Sequence, residues 1–499
     1  MNRSARREGV SVIQFEHRPG ILDLSWGHPR PDLLPVREWA AAGADLDWKA
    51  LTYGSSAGPD ALLESLGDPE RTFVTGGASH GLALLTQVLT QPGDVVLLDS
   101  PTYHLAFPIL TDRGLELAHT IPSPTTPGPS TAGPTTPDAT TAAPLTVGPT
   151  IAGPSTPGPA TASTPGPTTA STIPAEPTTA GPTTAAPTTA NTIPAEPTTA
   201  GPTTAGLTTA ATTTLEPTTS GRVTAESITA EPTAGGGSTA AAGPDPALLV
   251  AQIRHFRKAG KRVRLLYLVP TFGNPTGASL PDQRRRELIE IARQEGVTIV
   301  EDDTYRELAY DGPAPPSLWE MAGGDPVVRL GSFAKTVAPG LRLGWINAEP
   351  EIIRRLTGLG YVHSGGGVNH TTAVTMAAFR TGGGYSQHVA RIRREYRTQR
   401  DVLVNALRKR IAGRDVPVPA GGWFVWLPLP AGLTASALLP RAEERGVSFV
   451  PGSRFWADGS GGAGRIRLSF SHLSAIDLER AADRLAAAIT ATPSRQGRR

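Results

Sequence analysis

Outside residues 122–244, short continuous apolar runs alternate with longer stretches in which apolar positions recur every three or four residues. "RTFVTGG" predicts a strand running into a turn. "ASHGLALLTQVLTQPG" predicts a helix with Leu82, Leu85, Val88 and Leu89 on one face. "DVVLLDSPTY" and "LELAHT" read as strands flanking the helix "AFPILTDRG". Beyond residue 244 come a helix ("DPALLVAQIRHFRKAG"), a strand ("VRLLYLVPTFGNPTG"), a helix ("LPDQRRRELIEIARQEG") and a strand ("VTIVEDDTY"). "VVRLGSFAKTVAPGLRLGWINA" predicts two strands around a turn. Continuous apolar strands separated by amphipathic helices imply an α/β fold whose mostly parallel sheet is covered on both faces.

From about Pro350 the pattern changes. A long basic helix, "YSQHVARIRREYRTQRDVLVNALRKRI", precedes the strand "GGWFVWLPLP", the helix "ASALLPRAEERG" and the strands "VSFVPGSRF" and "RIRLSFS". This predicts a smaller α+β domain at 350–499, with the segment 1–45 packed on it. Residues 46–121 and 245–349 would form the large domain.

Composition alters the picture mainly between residues 122 and 244, where Thr, Pro, Ala, Gly and Ser dominate. There "STIPAEPTTAGPTTAAPTTA" (Ser171–Ala190) is followed by "NTIPAEPTTAGPTTAGLTTA" (Asn191–Ala210). These units have no apolar face to stack, so the stretch reads as a disordered insert with polyproline-like character. It separates a strand from the next helix of one domain, so its ends must meet. Lengthening such a loop by more than tenfold costs roughly 2 kcal/mol of closure entropy. The start of the chain has no apolar signal core, and no run is long enough to span a bilayer, so a cytoplasmic protein is expected. With 46 basic and 44 acidic side chains, net +2, nothing points to nucleic acid or an anionic membrane as partner. The absence of cysteine excludes disulfides and thiolate chemistry. The ten histidines show no metal-ligand spacing.

The candidate chemistry sits where the strands end. In open α/β sheets, ligands bind beyond the carboxyl ends of the strands. There the sequence sets Asp302 and Tyr305, Asn274, Tyr103, the glycine turn entering the helix at Ala78, and Ser332 with Lys335 and Arg342. Lys335, one of only five lysines, stands alone among small and apolar residues. An isolated amine, a carboxylate, phosphate-type donors and a helix N-terminus would together suit a planar, phosphorylated, pyridine-type cofactor.

Through "SPTYH", "FGNPTG", "VEDDTY", "GSFAKTVAPGLRLGW", "GGWFVWLP", "VPGSRF" and "RIRLSFS", in that order, the chain resembles the fold type I pyridoxal-phosphate enzymes of the class I/II aminotransferase family. The resemblance implies pyridoxal 5'-phosphate as cofactor and transfer of an amino group from an α-amino acid to a 2-oxo acid. Lys335 would hold the cofactor as an internal aldimine and move the proton. Asp302 would pair with the ring nitrogen, Asn274 and Tyr305 with the ring oxygen, and Tyr103 would stack on the ring. Gly77, Ala78, Ser79, Ser332 and Arg342 would surround the phosphate. Tyr53 would reach the phosphate of the neighbouring subunit in a homodimer with shared active sites. Gly27, Asn274 and Arg467 would contact the substrate, Arg467 gripping its α-carboxylate in preference to Arg465. Trp423, Phe424 and Trp426 read as core.

Three features depart from the family pattern. The segment around residues 58–72 is short by about one helix. His80 and Ala78 replace a glutamine and a serine. "HSGGGVNH" (His363–His370) replaces a serine- and glutamine-bearing stretch. The alternative on the same scaffold is a lyase, decarboxylase or oxidase of an amino acid.

Overall fold

Among the described residues, seven strands form the main sheet: β1 (Thr72–Thr75), β2 (Val95–Leu98), β3 (Glu116–His119), β4 (Val263–Leu268), β5 (Thr298–Asp302), β6 (Val327–Ser332) and β7 (Gly344–Asn347). The computed structural model describes residues 18–122, 243–411 and 415–491. The disorder expected across 122–244 therefore concerns residues outside those described, apart from Pro122, Gly243 and Pro244. The strand order is β1-β7-β6-β5-β4-β2-β3. Strands β3, β2, β4, β5 and β6 run parallel, while β7 is antiparallel to both β6 and β1.

The uninterrupted apolar runs follow from a sheet buried on both faces. In β2, Val96 and Leu98 pack with Leu82, Leu85 and Val88 of helix α1 (Ala78–Leu89). The alternate residues Val95 and Leu97 face Leu249 and Ile253 of α2 (Pro246–Lys258), and Leu288 and Ile289 of α3 (Asp282–Gln294). Strand β4 splits the same way, Leu265 and Tyr267 to one side and Leu266 and Leu268 to the other. The Asp245 carboxylate caps α2, accepting from Ala247 N and Leu248 N at 3.0 Å. Just before it, Pro122 and Pro244 form an antiparallel bridge, and Asp245 N donates to Ile121 O at 2.9 Å. The two ends of the 122–244 segment do meet.

A second, antiparallel sheet has the order β9-β10-β8, from β8 (Phe424–Pro428), β9 (Val450–Pro451) and β10 (Arg465–Ser469). Two helices, α4 (Gly384–Arg410) and α5 (Ala475–Thr490), pack on it. Leu22–Asp23 pairs in parallel with Val447–Ser448, and Leu24 and Leu33 enter the same apolar cluster. "VSFVPGSRF" breaks into two two-residue strands and a tight turn at Gly452–Phe455, not one strand.

The chain beyond Pro350 first continues to pack on the main sheet. Ile353, Leu356 and Val362 share a cluster with Phe73 and Ile346, and Tyr385 and Val389 share another with Phe333. Only from Ile392 does α4 join the C-terminal cluster. The change from one apolar cluster to the other falls within α4, between Val389 and Ile392. In the shortened segment a seven-residue helix, Asp60–Leu66, buries Leu62 and Leu63 and leads into β1.

Candidate functional site

Beyond the carboxyl ends of the parallel strands lies a cavity of about 470 Å³. Its wall brings together Gly27, Ala78, Ser79, Tyr103, Asn274, Asp302, Tyr305, Ser332, Lys335, Arg342 and Arg467, which are separated by up to 440 positions in the chain. Two expected residues lie outside it. Gly77 stands immediately behind Ala78, its backbone at φ +98°. A Cβ there would come within 3.0 Å of Arg342 Nη2, so the turn accepts only glycine. Tyr53 is 89% exposed and touches the Gly365 turn, not the cavity.

Asp302 ends β5. Its Oδ2 accepts a hydrogen bond from Tyr267 Oη at 2.6 Å, and its Oδ1 has no partner among the described residues. Burial raises its pKa, opposed first by the hydrogen bond from Tyr267 and then by the nearby Thr304. Tyr305, one turn on, is buried with its ring edge-on to Phe424 and Trp423 at 5.7 and 6.0 Å.

Lys335 follows β6 in the turn that leads to β7. Its Nζ lies 3.4 Å from Gly27 O and 5.0 Å from the centre of the Trp423 ring. Burial pulls its pKa down to about 8; Asp302 works against this, while Arg467 and Arg342 add to it. Ser332 Oγ accepts from Ala334 N at 3.1 Å and so shapes this turn.

The N-terminus of α1, at Ala78 and Ser79, offers unpaired backbone N–H groups and the positive end of the helix dipole. Arg342, in the left-handed region at φ 48°, donates from Nη2 to Gly76 O at 3.2 Å. His80 Nδ1 accepts from Gly76 N at 3.0 Å, so this departure from the family pattern secures the turn itself. Burial pushes the Tyr103 phenol up to about 12, with the nearby Ser79 opposing the shift.

On the other wall, Arg467 donates from Nη1 to Asn274 Oδ1 at 2.9 Å and from Nη2 to Ser25 O at 2.7 Å. Its guanidinium lies 4.3 Å from the Phe424 ring centre, and Nε is buried without a partner among the described residues. Burial pulls its pKa down to about 10, which leaves it charged at neutral pH. Arg465 is on the same strand but outside the cavity. Phe424, read as core from the sequence, forms part of the cavity wall. Tyr267 was also missed; the signal was a phenol interrupting the apolar strand "VRLLYL". Trp26, His28, His104 and Arg454 line the cavity too, with no pattern in the sequence to pick them out.

Residues 243–485 match the family described as aminotransferase class I and II. The chain is similar to the 2-aminoadipate transaminase of Thermus thermophilus, at 39% identity over 221 residues, covering 43% of this chain and 54% of that protein. Aromatic-amino-acid aminotransferase 1 of Thermococcus litoralis is 38% identical over 213 residues, covering 42% and 50%. An uncharacterized HTH-type transcriptional regulator of Bacillus subtilis is 35% identical over 219 residues, covering 43% and 44%. The chain thus spans about half the length of the curated relatives it matches.

In three dimensions the aminotransferase likeness covers far more. The α-aminoadipate aminotransferase of Thermus thermophilus, complexed with N-(5'-phosphopyridoxyl)-L-leucine, superposes with a TM-score of 0.63 at 25% identity, over 95% of this chain and 92% of that one. The kynurenine aminotransferase of Pyrococcus horikoshii gives 0.66 at 22%, over 94% and 91%. The fold is that of the fold type I pyridoxal-phosphate transferases.

Proposed function

We propose that this chain is an aminotransferase that uses pyridoxal 5'-phosphate to move an amino group from an α-amino acid to a 2-oxo acid. The observation that carries this reading is the pair Asp302 and Lys335: a buried carboxylate with a free oxygen, and a lone amine with a lowered pKa, in one cavity. The donor set fits the cofactor. Asp302 Oδ1 has the buried, unsatisfied acceptor that a protonated ring nitrogen needs. Asn274 and Tyr305 would serve the ring oxygen, and Tyr103 its face. Gly77, Ala78, Ser79, Ser332 and Arg342 would take the phosphate at the start of α1. When bound, the cofactor supplies an electron-accepting ring that acidifies the substrate Cα–H.

The chain's own groups would do the rest. Arg467, braced by Asn274 and Ser25, would grip the α-carboxylate and fix the orientation of Cα. Lys335, whose amine burial lowers to about 8, would take and hold the proton from the substrate Cα. The Phe424 ring beneath Arg467 would exclude water from that contact. Tyr53, with its exposed ring, would serve the phosphate site of a second copy in a homodimer. Among the described residues no helix is long and apolar enough to cross a membrane; we place the protein in the cytoplasm.

A visible spectrum before and after borohydride, with Lys335→Ala as control, tests the reading. A reducible band that depends on Lys335 is expected, and its absence from the wild type would sink the proposal. Adding a 2-oxo acid to amino-acid-treated protein should then restore the band. A lyase, decarboxylase or oxidase would not need that acceptor. The likeness to a transcriptional regulator favours a second reading, a ligand-sensing module. Single-turnover exchange of the amino group without sustained turnover would support it instead.

A further inference from the structure

Among the described residues, five cationic side chains line the cavity, and four of them have partners within the chain. Arg18 is paired with Asp23 and Glu443. Lys335 approaches Gly27 O, Arg342 donates to Gly76 O, and Arg467 donates to Asn274 and Ser25. Arg454 is exposed at the cavity wall and makes neither an ion pair nor a hydrogen bond with the described residues.

Its carrier is well fixed. Arg454 sits in the Gly452–Phe455 turn, which is tied to the main-sheet side at two points. Thr102 N donates to Phe455 O at 3.2 Å, and Ala457 N donates to His119 Nε2 at 2.7 Å. The next side chain, Phe455, is fully buried, edge-on to Trp426 at 5.5 Å and to His104 at 4.9 Å. An unpaired guanidinium on an anchored turn has little backbone freedom to lose when it binds.

Arg454 also stands close to the expected carboxylate grip. The Arg467 guanidinium lies 5.2 Å from the Phe455 ring centre. The His104 imidazole feels both arginines; burial first, then Arg467 and Arg454, hold its pKa down to about 3. With His104 neutral, this wall presents two guanidinium groups around one aromatic pair, and one of them is unsatisfied.

We propose that Arg454 is a specificity-determining residue that binds an anionic group on the substrate side chain, so that the preferred substrates are dicarboxylic amino acids and their 2-oxo acids. This rests on the aminotransferase reading, in which Arg467 holds the α-carboxylate. A substrate with two anionic ends bridges Arg467 and Arg454, whereas an apolar side chain leaves Arg454 in water.

The test uses the full chain loaded with pyridoxal 5'-phosphate. Dissociation constants for glutarate and pentanoate, which share a chain length and one carboxylate, are read from the Lys335-dependent band and by calorimetry. Wild type should hold glutarate about tenfold more tightly than pentanoate, as befits a charge contact at a solvent-facing rim. Raising salt from about 0.05 M to about 0.5 M should narrow the gap. Arg454→Gln should bring glutarate to within about twofold of pentanoate, and Arg454→Lys should restore part of the preference. Equal binding of the two acids by wild type, or a gap that survives in Arg454→Gln, overturns the assignment. If wild type carries no reducible band, the underlying aminotransferase reading fails, and calorimetry still decides the role of Arg454.

Discussion

The Tyr267 phenol donates to Asp302 Oδ2 at 2.6 Å from the neighbouring parallel strand. Tyr267 pairs with Val300, so Asp302 stands two residues further along, on the same face of the sheet. One carboxylate oxygen is thereby fixed and the other left free to meet a ligand.

Removing that phenol should raise the Asp302 pKa further, because the hydrogen bond is one of the contacts that hold it down. Tyr267→Phe should cost about ten- to hundredfold in kcat/KM and loosen the cofactor, in line with the roughly 1.5–3 kcal/mol of a hydrogen bond to a charged group. Turnover and cofactor retention after gel filtration measure this. Wild-type values for both would count against a tuning role.

Capture of an aldehyde needs the neutral form of the Lys335 amine. With the pKa lowered to about 8, the neutral fraction falls about tenfold per pH unit below 8 and levels off above it. Stopped-flow uptake of pyridoxal 5'-phosphate by cofactor-free protein should follow that curve. A rate still climbing steeply toward pH 10 would mean that burial does not depress this lysine.

The same shift affects stability. The folded amine loses its proton near 8 and the unfolded one near the ordinary lysine value of 10.5, so the unfolded chain binds more protons between these values. The lysine's contribution to stability therefore improves as pH rises from about 8 to about 10.5. In cofactor-free protein, Lys335→Met should melt above wild type at pH 7, and the difference should shrink across that window. A gap independent of pH would contradict the linkage.

Arg467→Lys replaces a two-pronged donor with a point charge and leaves Asn274 or Ser25 short of a partner. KM should rise about a hundredfold for every amino-acid substrate. Arg465→Lys, outside the cavity, should change KM by less than about twofold. Comparable losses in both variants would remove the case for Arg467.

Because Ile121, Pro122, Pro244 and Asp245 already hold the two ends together, the segment between them is expected to be dispensable for the fold. Replacing residues 123–242 with a short Gly-Ser bridge should leave the reducible band in place and shift stability by only about 2 kcal/mol. Loss of the band in a soluble, folded deletion variant would give that segment a role.

The sequence by itself determined the alternation of strands and helices, because apolar runs and three-to-four-residue spacing are local consequences of burial on two faces or on one. It also marked Lys335 and Arg342, whose types stand out against small or apolar neighbours, and Asp302, by its place at the end of an apolar strand. It did not mark Phe424 or Arg454, since a phenylalanine in an aromatic run and an arginine in a turn look the same wherever they end up, and the phenol of Tyr267 interrupts an apolar strand without naming its partner. What those residues face was decided by register and by packing between distant segments. The β4–β5 pairing puts Tyr267 against Asp302. The pairing of Leu22–Asp23 with Val447–Ser448 brings Ser25 and Gly27 to the cavity. The choice between Arg465 and Arg467 likewise depends on where β10 stops running along the cavity. A local pattern records how a residue is buried; only the tertiary contacts determine what it is buried against.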